Sequence, residues 1–261
     1  MRLDLYLYRN NFCDSRNKAC AIIRDGRVCV NGKKSLKPAF EVSDDDIVDV
    51  DLSKKVYVAR SAHKLCTAIN TFSLDFSDKV AVDLGSSTGG FCQVMLENNV
   101  KRIYAVDVGT NQLHDIIRRD NRVVVMENTN ARFLRSSDFE DIIDFVTCDL
   151  SFISVKNIIK IAYDILRQGG EFVCLIKPQF EVGPKFVNKN GVVKNKHAHV
   201  MAVKDIVDLA FNIGFSVCDI SFSGLEGESG NREFLIYLKK DCLGFKIDDL
   251  KISNTVFGVL Q

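Results

Sequence analysis

Asp83-Leu84-Gly85-Ser86-Ser87-Thr88-Gly89-Gly90-Phe91, entered from the apolar run Val80-Ala81-Val82, is the stretch on which the fold turns. Val80 to Leu84 has the length and β-branching of a buried strand. The glycines that follow permit a tight turn and close approach of backbone to a ligand, and the residues after them open a helix whose first amide N–H groups lack intrahelical partners. A strand, a glycine-rich turn and a helix in that order form the ligand-binding corner of a parallel α/β sheet. The spacing does not match G-x-G-x-x-G, so these glycines are not the pyrophosphate cradle of a dinucleotide-binding turn.

Outward from this corner the pattern repeats. A helix is predicted near Ser61 to Phe72, and apolar strands at Val80 to Leu84, Ile103 to Val108, Val123 to Met126, Phe145 to Leu150 and Phe172 to Ile176, with helical stretches between them. Such alternation predicts a parallel sheet covered by helices on both faces. Phe215 to Ile220 and Glu233 to Leu238 are separated by a glycine-rich loop too short for a crossover helix, so they should pair antiparallel. The expected class is therefore α/β. The tail from Asp241 to Gln261 receives no assignment.

The first part of the chain differs in kind. Residues 1 to 40 carry nine Lys or Arg against three Asp, a net +6 in a chain of net +1, so the remainder carries −5. A basic head on a mildly acidic body points to a polyanion held by one end. Asp14-Ser15 can cap a helix with Ala19, Ile22 and Ile23 on one face, ended by Gly26; Val28, Val30 and Asn31-Gly32 then give a short strand and a tight turn. Arg2, Arg16, Lys18, Arg24, Arg27, Lys33 and Lys34 are the cations expected to meet phosphates. A charged stretch from Ser43 to Lys55, with Asp44-Asp45-Asp46 read as a solvated turn, marks a boundary. The expected organisation is 1–55, a linker at 56–60, 61–240 and the tail 241–261.

Nine scattered cysteines with no C-x-x-C pair read as small buried hydrophobes, which argues against a disulfide framework or a structural zinc site, and no metal is expected. The start MRLDLYLYRN lacks the apolar core of a signal peptide, and no apolar run approaches the length of a membrane span. A soluble, cytoplasmic protein is expected, with no membrane partner; the sequence does not fix an oligomeric state.

Chemistry-bearing residues stand at predicted element ends, where an open α/β sheet places its ligand crevice. Asp107 in AVDVG closes the second strand, where a carboxylate suits two ribose hydroxyl donors, and Asn128 and Asn130 follow the third strand. Lys64 in RSAHKL, Asp149 in TCDLSF, Lys177 in LIKPQF and Glu233 in GNREFL complete the set.

Several of these strings resemble known families. The order R-L-D, then S-R-x-x-A-x-x-x-I-x-x-G-x-V-x-V-N-G, resembles the S4 RNA-binding domain. D-x-G-x-x-x-G-G-F, the acidic end of the second strand and the terminal hairpin resemble the seven-stranded Rossmann-like fold of S-adenosylmethionine-dependent methyltransferases. That resemblance implies cofactor contacts at Asp83, Gly85, Ser86, Thr88, Gly89, Gly90, Phe91 and Asp107, with Asn128 and Asn130 near adenine. Lys64, Asp149, Lys177 and Glu233 match the K-D-K-E tetrad of ribose 2′-O-methyltransferases related to the RrmJ/FtsJ enzymes.

Over residues 1 to 240 the order of segments, with uncommon strings such as KPQFE, resembles the TlyA, or hemolysin A, family. The resemblance implies 2′-O-methylation of cytidine in ribosomal RNA, in the large subunit and in some members also the small one, with S-adenosylmethionine as cofactor and ribosomal RNA or a ribosomal subunit as partner. Two departures stand out: Ala59-Arg60-Ser61 where the family often has Ser-Arg-Gly, and Tyr57 where some members have Trp.

The chemistry is coherent with the residue types. A ribose 2′-hydroxyl is a very weak acid, so a base must take its proton while the oxygen is aligned on the methyl group. Burial and a neighbouring ammonium favour a neutral amine, so Lys64 is expected to lower the pKa of Lys177 while Asp149 orients it and Glu233 holds the ribose. A non-catalytic S4-bearing assembly factor is the alternative from another class. A membrane-lytic hemolysin, suggested by the family's older name, lacks an export signal and a spanning segment here.

Overall fold

The computed structural model describes residues 1–13, 15–51, 57–227, 230–241 and 243–258; Asp14, the linker pair Lys54-Lys55 and Cys242 lie outside the described residues. The chain divides into two compact units, Met1–Ala62 and His63–Gln261.

In the first unit, helices α1 (Leu3–Arg9) and α2 (Arg16–Arg24) precede a three-stranded antiparallel sheet, β1 (Val28–Val30), β2 (Lys33–Ser35) and β3 (Val48–Val50), in the order β2-β1-β3. Ser15 caps α2 by accepting from the Lys18 amide, and Ala19, Ile22 and Ile23 bury against Leu3, Leu7, Val28, Val30 and Val42. Asn31 and Gly32 both take positive φ, 52° and 73°, the backbone of the tight hairpin turn expected there. Asp46, in the run read as a solvated turn, accepts from the Asn31 side chain and from both the amide and hydroxyl of Ser43.

The cations of this unit are presented unequally. Asp4, 1% exposed, accepts two hydrogen bonds from Arg2 at 3.0 Å and one from Arg16 at 2.9 Å, while both arginine side chains stay about half exposed. One buried carboxylate thus fixes two cations at the surface. Lys18, Arg24, Lys33 and Lys34 are exposed. Arg27 departs from expectation: it is 5% exposed, and its Nε donates to the Asp51 carbonyl at 2.7 Å. Its place at the start of β1 turns it inward to tie that strand to the end of the sheet, so it does not face phosphates.

The second unit opens with α3 (Ala62–Phe72), which starts at the unit boundary. It continues through β4 (Val80–Leu84), α4 (Gly90–Glu97), β5 (Arg102–Val106), α5 (Asp115–Arg118), β6 (Val123–Met126) and β7 (Ile143–Cys148). Then follow α6 (Lys156–Ile165), β8 (Leu166–Ile176), α7 (Pro178–Glu181), α8 (Lys196–Ile213), β9 (Ser216–Glu226), β10 (Arg232–Lys239) and α9 (Asp249–Phe257). The seven strands run β6-β5-β4-β7-β8-β10-β9; β4 to β8 are parallel, and β10 is antiparallel to both neighbours. This is the sheet, with its terminal hairpin, that the apolar runs predict. Between β6 and β7 the connection is made by two short 3-10 turns, Ala131–Phe133 and Ser136–Asp138, rather than an α-helix.

The unassigned tail contains a helix. Asp248 accepts from the Lys251 amide, Ile252 and Val256 are fully buried in the core beside α8 and β9, and Gly258 ends the helix at φ 75°. Among the described residues no helix is long and apolar enough to cross a membrane.

The Asp4 pair gives a stability test. The hydrogen bonds from Arg2, then those from Arg16, outweigh burial and hold the Asp4 carboxyl well below the usual carboxylate range. A depressed folded pKa contributes stability above the ordinary value of about 4, lost as pH falls further. Asp4→Asn is expected to cost the N-terminal unit about 2 kcal/mol near pH 7. In thermal unfolding the deficit should shrink below pH 3; a deficit constant with pH would contradict the ion-pair account.

Candidate active site

The parallel strands end on one edge of the sheet, and four chemistry-bearing side chains converge there. Asp149 follows β7 directly, and its amide donates to the Leu84 carbonyl at the end of β4. Lys177 follows β8. Glu233 is the second residue of β10, and because Phe234 pairs with Ile176 the antiparallel register carries Glu233 alongside Lys177. Lys64 comes from the first turns of α3.

These four form a linear ionic chain. Lys177 Nζ lies 2.7 Å from Asp149 Oδ1, Lys64 Nζ donates to Asp149 Oδ2 at 3.1 Å, and Lys64 Nζ lies 2.7 Å from Glu233 Oε2. All four side chains are between 4% and 12% exposed. Two ammonium and two carboxylate groups cancel, which makes their joint burial tolerable; any one alone would be a costly buried charge. Burial pulls the Lys64 ammonium down, but Asp149 and then Glu233 outweigh it and raise its pKa above the ordinary lysine value. Burial pushes Asp149 up, yet the two ammonium groups prevail and lower it. Lys64 is thus a fixed cation and Asp149 a fixed anion.

Lys177 differs from Lys64 in its second partner. It donates to the Ser151 hydroxyl at 2.9 Å, where Lys64 has a second carboxylate. Glu233, 3% exposed, is committed to Lys64, and Gly227 passes so close that a Cβ there would stand 2.6 Å from Glu233 Oε1. The contact the structure gives Glu233 is therefore with Lys64.

Beside this chain lies a cavity of about 270 Å³, lined by Gly85, Asp107, Asn130 and Ser151 and by apolar groups that include Leu150 and Ile153. Asp107 is held by two backbone amides, Ser87 N–H on Oδ2 and Gly109 N–H on Oδ1, both at 2.8 Å. Each oxygen keeps acceptor capacity for a further donor. At Gly85, with φ 85°, a Cβ would stand 2.8 Å from the Leu150 side chain, so glycine keeps this wall open. An apolar cavity with a fixed, doubly accepting carboxylate at its side fits a nucleoside.

The glycine-rich segment divides its labour. The Ser86 amide donates to the Val106 carbonyl, the Thr88 carbonyl accepts from the His114 amide, Gly89 leads into α4 at φ 93°, and Gly90 is buried in its first turn. Two of the expected ligand contacts are buried, with partners inside the protein. Phe91 is 3% exposed and belongs to the core. Asp83 is 1% exposed, and its carboxyl accepts from Thr147 Oγ1 at 2.9 Å and Cys92 Sγ at 3.1 Å, locking β4 to β7 and α4 beneath the turn.

Asn130 lines the cavity and caps the following 3-10 turn by accepting from the Arg132 amide. Asn128 does not line it; exposed, at φ 55°, it is a turn residue whose amide donates to the Gly109 carbonyl. Three contributors escaped the sequence reading. Glu127, brought to a pKa of about 2 by the amides of Asn111, Leu113 and Gln112 together with Arg118, fixes the loop after Asp107. Ser151 partners Lys177, and Glu181 anchors the turn that carries it. KPQFE held the signal for Glu181, a carboxylate at a fixed distance from Lys177, but its partners lie in a different segment.

Comparison with known proteins bears on this geometry. Residues 57–240 match the family model for FtsJ-like methyltransferases, and residues 1–48 that for the S4 domain. The chain belongs to the FtsJ-like methyltransferase family. Within the family it is 36% identical over 239 residues to the 16S/23S rRNA (cytidine-2′-O)-methyltransferase TlyA of Mycobacterium tuberculosis, covering 91% of this chain and 89% of that protein. It is 33% identical over 259 residues to the 23S rRNA (cytidine-2′-O)-methyltransferase TlyA of Campylobacter jejuni, covering 92% of this chain and all of that one. Among solved structures, a protein of Streptococcus thermophilus superposes with a TM-score of 0.79 at 36% identity, covering 99% of this chain and 94% of its own.

The buried Asp83 gives a pH test. Burial raises its pKa to about 6 against the opposing hydrogen bonds of Cys92 and Thr147. The folded protein then holds a proton that the unfolded chain releases near pH 4. The stabilisation is complete below that value and is lost as pH rises through about 6. Asp83→Asn should therefore gain melting temperature relative to the parent between pH 4.5 and pH 7.5. A gap that does not change with pH would show that Asp83 is ionised throughout.

Proposed function

We propose that this protein is an S-adenosylmethionine-dependent ribosomal RNA methyltransferase that methylates a cytidine ribose 2′-hydroxyl, in the large subunit and, as in the mycobacterial relative, with reach to the small one. The observation that carries the reading is the buried chain Lys177–Asp149–Lys64–Glu233 beside the cavity that Asp107 flanks. Close relatives named for this activity support it.

S-adenosylmethionine, when bound, supplies a methyl group activated by its sulfonium. Asp107 would accept the ribose hydroxyls of its nucleoside, and Val108, Ala131, Leu150 and Ile153 would surround the base. Lys177, after its ammonium has released its own proton, takes the proton of the substrate 2′-hydroxyl, whose oxygen is then free to form the bond to the methyl carbon. The choice between the lysines follows from their partners: Lys64, between two carboxylates, is held as the ammonium, whereas Lys177 has one carboxylate and a neutral hydroxyl. Lys64 supplies a fixed positive charge, Asp149 holds the two amines apart on its two oxygens, and Glu233 fixes Lys64. The cations that Asp4 presents on the N-terminal unit, Arg2 and Arg16, with Lys18, Arg24, Lys33 and Lys34, hold RNA phosphates. An enzyme acting on ribosomal RNA works in the cytoplasm with its substrate.

The test is radiolabelled methyl transfer to ribosomal RNA, with Lys177 and Lys64 exchanged in turn. Lys177→Ala should lower turnover by roughly a hundredfold or more with little change in cofactor affinity. Lys177→Arg should fail as well, because arginine keeps the charge and stays protonated, whereas Lys64→Arg should retain partial activity. An active Lys177→Arg enzyme would move the base elsewhere, and a parent protein that binds cofactor and RNA without transfer would make it an assembly factor. Removing residues 1–50 should abolish salt-sensitive RNA binding and leave cofactor affinity nearly intact; unchanged methylation by the truncated chain would contradict the role given to the basic unit.

A further inference from the structure

The turn that follows Asp149 is built more firmly than a surface loop requires. Phe152 is 92% exposed at φ 64°, a left-handed conformation that L side chains rarely adopt and that persists only where its surroundings hold it. The holding contacts come from the segment after Lys177. Glu181 accepts from Ser154 Oγ at 2.5 Å and from the Val155 amide at 2.8 Å, and the Phe180 ring lies 5.6 Å from that of Phe152. The turn thus places Ser151 Oγ 2.9 Å from Lys177 Nζ, at the edge of the cavity.

An amine nitrogen has three positions besides its bond to carbon. Ser151 Oγ takes one of them in a hydrogen bond at 2.9 Å, while Asp149 Oδ1 stands 2.7 Å away as an ion-pair partner. In the neutral amine a hydrogen held on Ser151 confines the lone pair to the other two positions, and the negative Asp149 oxygen repels it from its own side. Without the Ser151 hydrogen bond, rotation about the carbon–nitrogen bond would spread the lone pair further.

We propose that Ser151 is a positioning residue for methyl transfer, aiming the lone pair of the Lys177 amine at the substrate oxygen, and that Glu181 acts through Ser151 by holding the turn. The proposal rests on Lys177 being the base. In the step the ribose O–H bond breaks and an N–H bond forms on Lys177. The oxygen keeps the electron pair that bonds the methyl carbon, and the carbon–sulfur pair stays with sulfur.

Single-turnover methyl transfer to ribosomal RNA, with cofactor affinity measured in parallel by calorimetry, tests this. Ser151→Ala should slow transfer roughly tenfold or more, with cofactor affinity within about threefold of the parent. Ser151→Thr, which keeps the hydroxyl, should recover most of the rate. Glu181→Gln has only one accepting oxygen for two donors, so it should also slow transfer, and in combination with Ser151→Ala it should add little. Transfer by Ser151→Ala within about twofold of the parent would overturn the proposal, as would Ser151→Thr being as slow as Ser151→Ala, or multiplicative effects in the double variant. Lys177→Ala in the same assay separates the two readings: its inactivity beside a fully active Ser151→Ala removes only the positioning role, and its full activity removes both.

Discussion

One carboxylate with an ammonium on each oxygen, closed off from water, is the constraint on which the site depends. Asp149 binds Lys177 through Oδ1 and Lys64 through Oδ2, and Glu233 balances the second ammonium. Burying such a set is tolerable only when the charges cancel and the contacts are close, because desolvation of a single uncompensated ion costs several kcal/mol. The quartet must therefore be assembled complete. That requirement explains why its members come from four separate elements whose ends are fixed by the sheet rather than from one mobile loop. Their different partners then give chemically identical lysines different surroundings.

The sheet supplies the rigidity. Among the five parallel strands β4 stands in the middle, with β5 and β6 on one side and β7 and β8 on the other, so the crevice opens above the ends of β4 and β7 where the winding reverses. The cavity wall is drawn from the ends of β4 to β7, and the ionic chain from α3 and the ends of β7, β8 and β10. Asp149 and Ser151 sit where these meet, so the cavity and the ionic chain share one turn. Beneath it, Asp83 joins β4, β7 and α4 through Thr147 and Cys92.

The N-terminal unit uses the same device in a milder form. Asp4 is buried and holds Arg2 and Arg16, but the guanidinium groups remain half exposed. The carboxylate costs the unit a unit of positive charge and in return fixes two long, otherwise mobile side chains. Arg27 shows the limit of reading charge from composition, since a cation in a basic stretch can serve the sheet instead of the surface.

Periodicity and turn chemistry are local, and for that reason the sequence determined much by itself. The strand runs, the glycine-rich corner, the Ser15 cap, the Asn31-Gly32 turn and the closing hairpin all follow from residues close together in the chain. The helix α9 receives no assignment, although its local signals, the Asp248 cap, the Ile252 and Val256 pair and Gly258, stand close together in the chain. The candidate tetrad was legible as residue types at element ends, because such ends are where a parallel sheet meets its ligand. What the chain could not show is which way each side chain turns and what it meets there. Whether Asp83 faces ligand or frame, whether Arg27 faces solvent or strand, and whether Glu233 meets ribose or Lys64 depend on neighbours far away in sequence. Ser151 and Glu181 are the clearest case: an ordinary serine and an ordinary glutamate acquire meaning only when the turn after β7 and the helix after β8 are brought within hydrogen-bond distance. Hydrogen bonds and ion pairs act over about 3 Å, and only the tertiary structure sets distances on that scale between segments so far apart in the chain.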